Sequence, residues 1–166
     1  MKKISTESLI RKIEKLTKQR MSDQPVVALD QFRSAHKKLH PTNILVIEDD
    51  ETQRHSLKKI LEADGYTPKM AADGTELGLI LDQEAEIHLI IMDVGLPWIN
   101  GFELAQMIKD HPDLKRIPLL FLSATAEPAD MERAREVEAD DYIKKPFDIE
   151  IFRHRVKELL ELSLLD

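Results

Sequence analysis

Acidic side chains in this 166-residue chain gather where apolar runs stop. Ile44-Leu45-Val46-Ile47 leads directly into Glu48, Asp49 and Asp50, and Leu89-Ile90-Ile91-Met92 leads into Asp93. Leu122-Ser123-Ala124 closes another apolar run with a hydroxyl, and Ile143-Lys144-Lys145-Pro146-Phe147 closes a further one with an ammonium. Carboxylates brought close together repel and raise one another's pKa unless a cation lies among them. A hard ion such as Mg²⁺ suits such a cluster, because it takes one or two carboxylates, keeps waters and leaves room for phosphate oxygens. Carboxylates at strand ends also cap the helices that follow, so the acid triplet by itself is compatible with either use. A hydroxyl and a lysine narrow the chemistry. Metal and lysine neutralise the oxygens of a phosphoryl group in transfer, the hydroxyl donates to one of them, and a carboxylate attacks in line. Ser123 alone would be a strand-end hydroxyl and Lys145 alone a surface lysine. Together with the acids they fit the formation of an acyl phosphate.

These residues can meet only if the strands that carry them lie side by side. From Asn43 onward, short apolar runs near 44–47, 66–71, 87–92, 117–122 and 141–144 alternate with amphipathic stretches. The runs at 87–92 and 117–122 are almost continuously apolar, as strands covered on both faces of a parallel sheet must be. Helices are expected over 51–64, 74–84, 100–110, 127–139 and 148–163, where apolar residues recur at three and four, as in Leu57, Ile60, Leu61 and in Ile151, Phe152, Val156, Leu159, Leu160. Gly65 stands where a helix-stopping glycine belongs. Five β-α units in strict alternation imply an α/β fold: a doubly wound, five-stranded parallel sheet with helices on both faces. Its active crevice belongs at the carboxyl ends of the strands, where the acids, the hydroxyl and the lysine stand.

Composition sets the outer bounds. Hydrophobic residues make up 42% and charged residues 33%, as in a globular protein. No apolar run approaches the roughly 18 residues that cross a bilayer, and Lys2-Lys3-Ile4-Ser5 does not open a signal peptide, so the expectation is a cytoplasmic protein with no membrane partner. With no cysteine, disulfides, thiolate metal sites and cysteine nucleophiles are excluded. The net charge of −7 is uneven: residues 1–40 hold 10 Lys and Arg against 4 Asp and Glu, and the rest hold 14 against 27. Leu9, Ile10, Ile13 and Leu16 form one apolar stripe in this basic segment. Ala28, Leu29, Phe32, Ala35 and Leu39 form another, and Ser22-Asp23-Gln24-Pro25 lies between them. The pattern predicts a helical extension of two short helices over 1–40, ended by Pro41. Their charge reads first as a solvated face and second as an arm for acidic partners. Apolar stripes of this kind need burial, and pairing with a second copy to give a homodimer is the expected outcome, with folding back as the alternative.

Residues 43–163 resemble the receiver domain of two-component response regulators, the family typified by the chemotaxis regulator. The resemblance rests on Ile44-Leu45-Val46-Ile47-Glu48-Asp49-Asp50, on Met92-Asp93-Val94-Gly95-Leu96-Pro97-Trp98-Ile99-Asn100-Gly101, on Leu122-Ser123-Ala124 and on Asp141-Tyr142-Ile143-Lys144-Lys145-Pro146-Phe147. It implies that Asp93 is both the phosphoacceptor and a metal ligand, that Asp49 is a direct Mg²⁺ ligand with Glu48 acting mostly through water, and that the Gly95 carbonyl is a backbone ligand. It implies that Ser123 and Lys145 engage the phosphoryl oxygens and that the Lys145–Pro146 peptide is cis. Tyr142 matches the aromatic switch residue, which turns inward when the Ser123 hydroxyl is drawn to the phosphate. The fourth helix, fifth strand and fifth helix would form the signalling face. Asp50 is left between metal support and helix capping.

The partners so implied are a sensor histidine kinase or histidine phosphotransfer protein, and a downstream effector protein. The chain would be no enzyme in the usual sense, since it phosphorylates and dephosphorylates only itself. Gly95 and Thr125 occupy the two positions that tune phosphoryl lifetime in the family, and Ser123 replaces the commoner threonine. An aspartyl-phosphate phosphohydrolase would need an acid two residues after its nucleophile, where Gly95 stands. A receiver-like domain that signals by binding alone would follow loss of Asp93 or of the acid pair, and both are present. His36 and His40 read as surface histidines rather than phosphohistidine donors. Lys2, Lys3, Arg11, Lys12, Lys15, Lys18 and Arg20 offer weak contacts to phosphates, but no helix-turn-helix pattern is present, so a stand-alone receiver without a nucleic-acid partner is expected.

Overall fold

The computed structural model describes residues 41–163, so the expected helices and homodimer contact of residues 1–40 lie outside the described residues. Strands β1 (Asn43–Ile47), β2 (Thr67–Ala71), β3 (Leu89–Asp93), β4 (Leu119–Ser123) and β5 (Asp141–Lys144) alternate with helices α1 (Glu51–Ala63), α2 (Gly74–Leu81), α3 (Gly101–Asp110), α4 (Pro128–Glu136) and α5 (Ile149–Leu162). The strands form one sheet in the order β2-β1-β3-β4-β5, every pair parallel. After β2 the chain crosses to the other side of β1 to place β3. The winding therefore reverses between β1 and β3, and a crevice opens at their carboxyl ends.

Side-chain alternation explains why the central strands are apolar throughout. Ile44 and Val46, Leu89 and Ile91, and Leu120 and Leu122 meet Leu57 and Leu61 of α1 and Phe152, Val156, Leu159 and Leu160 of α5. Leu45 and Ile47, Ile90 and Met92, and Leu119 and Phe121 face the opposite way, onto Leu77 of α2, Phe102, Leu104, Ala105 and Ile108 of α3, and Ala134 of α4. Burying each of the larger of these side chains, the leucines, isoleucines, valines, methionine and phenylalanines, contributes about 1.5–3 kcal/mol. β2 is a sheet edge and only half-buried, which suits Pro68: with no N–H to donate, proline is confined to edges.

All five expected strands and five expected helices are present, most with shifted ends, while β5 lies where expected, at Asp141–Lys144. β4 begins at Leu119 rather than near Ile117, because Pro118 cannot donate to a ladder and the Ile117 amide turns back to Leu114 O. β3 begins at Leu89 rather than Ile87 and takes in Asp93 itself. α4 stops at Glu136, and Glu138 adopts the left-handed conformation (φ 57) that Gly65 supplies after α1 (φ 78). The two ends share one hydrogen-bond pattern. Gly65 N donates to Glu62 O and Tyr66 N to Leu61 O; Glu138 N donates to Arg135 O and Ala139 N to Ala134 O. The glycine is legible as a stop; the glutamate is not. Among the described residues no helix is long and apolar enough to cross a membrane.

Candidate functional site: an acidic crevice at the carboxyl ends of β1 and β3

β1 pairs with β3, and the two strands end in acids. Oxygens of Glu48, Asp49 and Asp93 all lie within 4.8 Å of one another. Glu48 is buried, Asp93 half-buried and Asp49 exposed, so the cluster grades from the sheet end toward solvent. Three carboxylates facing one another, with their outer member open to water, suit a hard divalent cation that keeps part of its hydration shell.

Lys145 supplies the positive charge from the far side. Its Nζ donates to Glu48 Oε2 at 2.7 Å and lies 3.6 Å from Asp93 Oδ1. The backbone aims it: the Lys145 amide donates to Ser123 O at 2.7 Å, and the Lys145–Pro146 peptide is cis, as the resemblance implied. Burial pushes the Glu48 carboxyl above its ordinary value of 4.5. The Lys145 hydrogen bond and the Asp50 amide (3.1 Å to Oε1) oppose that shift, and the charge of Asp93 adds to it.

Beyond Asp93 the chain turns sharply. Gly95 N donates to Asp93 Oδ1 at 3.2 Å, and a Cβ at Gly95 would stand 4.0 Å from each Asp93 oxygen, so the ground in front of this carboxylate is kept clear. Gly101 opens α3 against the turn, donating its amide to Val94 O. A Cβ there would come within 2.6 Å of Val94 Cα and 2.9 Å of Asp93 O, a separation that only glycine permits.

Ser123 ends β4 beside Asp93, whose register partner is Leu122. Its Oγ accepts from Thr125 N at 3.2 Å and lies 3.4 Å from Thr125 Oγ1. The Thr125 hydroxyl donates to Asp130 Oδ2 at 2.7 Å, in the first turn of α4, and Tyr142 Oη donates to Thr125 O at 2.7 Å. The loop after β4 is thus pinned to α4 on one side and to β5 on the other.

The structure brings Glu48, Asp49, Asp93 and Lys145 into one site, with Gly95 and Ser123 at its rim and Thr125 and Tyr142 linked behind Ser123. Asp50 resolves in favour of capping, since its Oδ1 accepts from Gln53 N at 2.8 Å. Two residues were not singled out by the motifs. One is Asp130, invisible until the loop is folded. The other is Arg54, whose Nη1 donates to Glu48 O at 3.1 Å and to Asp49 O at 2.9 Å. A cation in the first turn of a helix, where the dipole disfavours it, was the available signal.

Known proteins carry the same arrangement of elements. The family model for the response regulator receiver domain matches residues 44–157. The chain is 38% identical over 122 residues to the aerobic respiration control protein ArcA of Escherichia coli (strain K12), a match covering 74% of this chain and 50% of ArcA. It therefore spans about half the length of that relative. Against the polar-differentiation response regulator DivK of Brucella anthropi it is 32% identical over 120 residues, covering 72% of this chain and 97% of DivK. The crystal structure of the signal receiver domain of a signal transduction histidine kinase from Syntrophus aciditrophicus is similar, with 38% identity and a TM-score of 0.66 over 72% of this chain and 90% of that one.

Proposed function

The chain belongs to the response regulator receiver family, and on that premise we propose that Asp93 accepts a phosphoryl group while Glu48, Asp49, Asp93 itself and the Gly95 carbonyl hold a Mg²⁺ ion. The observation that carries this reading is the convergence on Asp93: two further carboxylates within 4.8 Å, a lysine ammonium at 3.6 Å, and a glycine at 95, where a Cβ would stand 4.0 Å from both Asp93 oxygens. When bound, the ion supplies positive charge against the oxygens of the phosphoryl group and the crowded carboxylates.

An Asp93 oxygen attacks phosphorus, forming an O–P bond. The P–N bond of a phosphohistidine, or the P–O bond of a small acyl phosphate, breaks; the leaving group keeps the electron pair, the imidazole nitrogen taking a proton from solvent and the carboxylate departing as its anion. Lys145 turns its charge toward the incoming oxygens and Ser123 Oγ donates to one of them. The donor fitting this chemistry is a sensor histidine kinase or a histidine phosphotransfer protein. No acid stands at Gly95 to protonate a leaving group, which favours self-catalysed transfer and loss over turnover of a separate substrate.

Phosphorylation then acts through the loop behind the site. As Ser123 Oγ moves to the phosphoryl group it leaves Thr125 N, and Thr125 carries the contacts to Asp130 and Tyr142. Two arrangements of this loop, differing by one hydroxyl and one lysine contact, suffice for a population shift. The readout surface is α4, β5 and α5, meeting a downstream effector protein.

Incubation with a small acyl phosphate, followed by intact-mass measurement, tests the reading. The expected result is one added phosphoryl group with Mg²⁺ present and none with the metal chelated. Labelling that ignores Mg²⁺ would overturn it.

A further inference from the structure

We propose that Arg54 is a positioning residue for the acid pair, spanning the carbonyls of Glu48 and Asp49 so that both carboxylates leave β1 in a fixed direction. This rests on the reading of Glu48, Asp49 and Asp93 as metal ligands.

The backbone after β1 needs an anchor. The last sheet contact of this segment is Glu48 N to Ala71 O; from there the chain leaves the ladder, and the carbonyls of Glu48 and Asp49 no longer face a strand partner. Carboxylates of Glu48, Asp49 and Asp93 crowd the same place, and their repulsion pushes the peptide units that carry them apart. Arg54 Nη1 bridges both carbonyls, at 3.1 Å and 2.9 Å, from the first turn of α1. Asp50 completes the brace, its amide on Glu48 Oε1 and its carboxylate capping the same helix. A cation in the opening turn stands against the helix dipole, a cost its two charge-assisted hydrogen bonds offset.

Charge and geometry predict opposite signs here. Removing a cation near a Mg²⁺ site, by charge alone, tightens Mg²⁺ binding a few-fold, because less repulsion remains. Removing a residue that orients metal ligands weakens binding, on the order of ten-fold for groups that support a ligand from behind. Positioning is the larger effect and sets the direction.

The test is the Mg²⁺ dissociation constant of the full chain by calorimetry, for wild type, Arg54→Met and Lys59→Met. Lys59 lies exposed on the same helix and serves as the charge control. The expected result is binding weakened about ten-fold in Arg54→Met, and unchanged or slightly tighter in Lys59→Met. Melting in chelator reports on the fold; if Arg54→Met does not fold, Arg54→Gln carries the same comparison. Wild-type or tighter Mg²⁺ binding in the Arg54 variant overturns the proposal, including when only its metal-free melting temperature falls. Absence of Mg²⁺ binding by the wild type would instead overturn the reading of the site itself.

Discussion

Lys145 serves two carboxylates with one ammonium, 2.7 Å from Glu48 and 3.6 Å from Asp93. The nearer bond goes to the buried partner, which has lost most of its water and gains more from a charged donor. That donor does not fully compensate, since burial still holds the Glu48 carboxyl above its ordinary 4.5. The protonated acid is therefore favoured more in the folded than in the unfolded chain. Its contribution to stability is complete below about 4.5 and is lost as pH rises through the higher native value. In metal-free buffer, the stability of wild type relative to Glu48→Gln should fall as pH rises from about 4 to about 8, measured by urea denaturation at each pH. A relative stability that rises with pH would contradict the burial account. At this scale the sequence was informative about residue types and silent about pairing. Nothing in the order of residues says that Lys145 would prefer Glu48 to Asp93, or that Asp50 would turn away to cap α1.

Elements set how closely the two carboxyl-terminal loops approach. α3 starts hard against the turn after Asp93, with Gly101 allowing its first residue to lie on Val94, and Asn100 accepts from the Phe102 amide at 2.9 Å to cap it. Gly101→Ala puts a methyl 2.6 Å from a backbone carbon and cannot be absorbed by a flexible side chain. The expected cost is about 1–3 kcal/mol of stability by denaturant titration, because overpacking forces backbone movement. Unchanged stability would mean that α3 has freedom the packing denies it. The middle of each element was readable from periodicity, and the ends were not. Pro118 delays β4 by removing a donor, while Glu138 ends α4 in a conformation that its side chain gives no hint of. Both boundaries depend on backbone hydrogen bonds, which residue type only constrains.

Across the whole molecule, alternation of five apolar runs with five amphipathic stretches left few topologies open, since parallel crossovers share one hand. Strand order follows from packing and reaches the site directly: β1 beside β3 sets Glu48 and Asp49 against Asp93, and β4 and β5 bring Ser123 and Lys145 from the other side. What could not be read was distance. Register is fixed by interdigitation of both cores across the sheet, and a shift of one residue would have turned these acids to the opposite face. The central claim is that this assembled site phosphorylates Asp93 and no other residue. Treatment of wild type and Asp93→Asn with a small acyl phosphate and Mg²⁺, followed by peptide mapping, measures it most directly. The account predicts one phosphoryl group on the peptide containing Asp93 in wild type and none anywhere in the variant; equal labelling of the two proteins, or a label on another peptide, would contradict it.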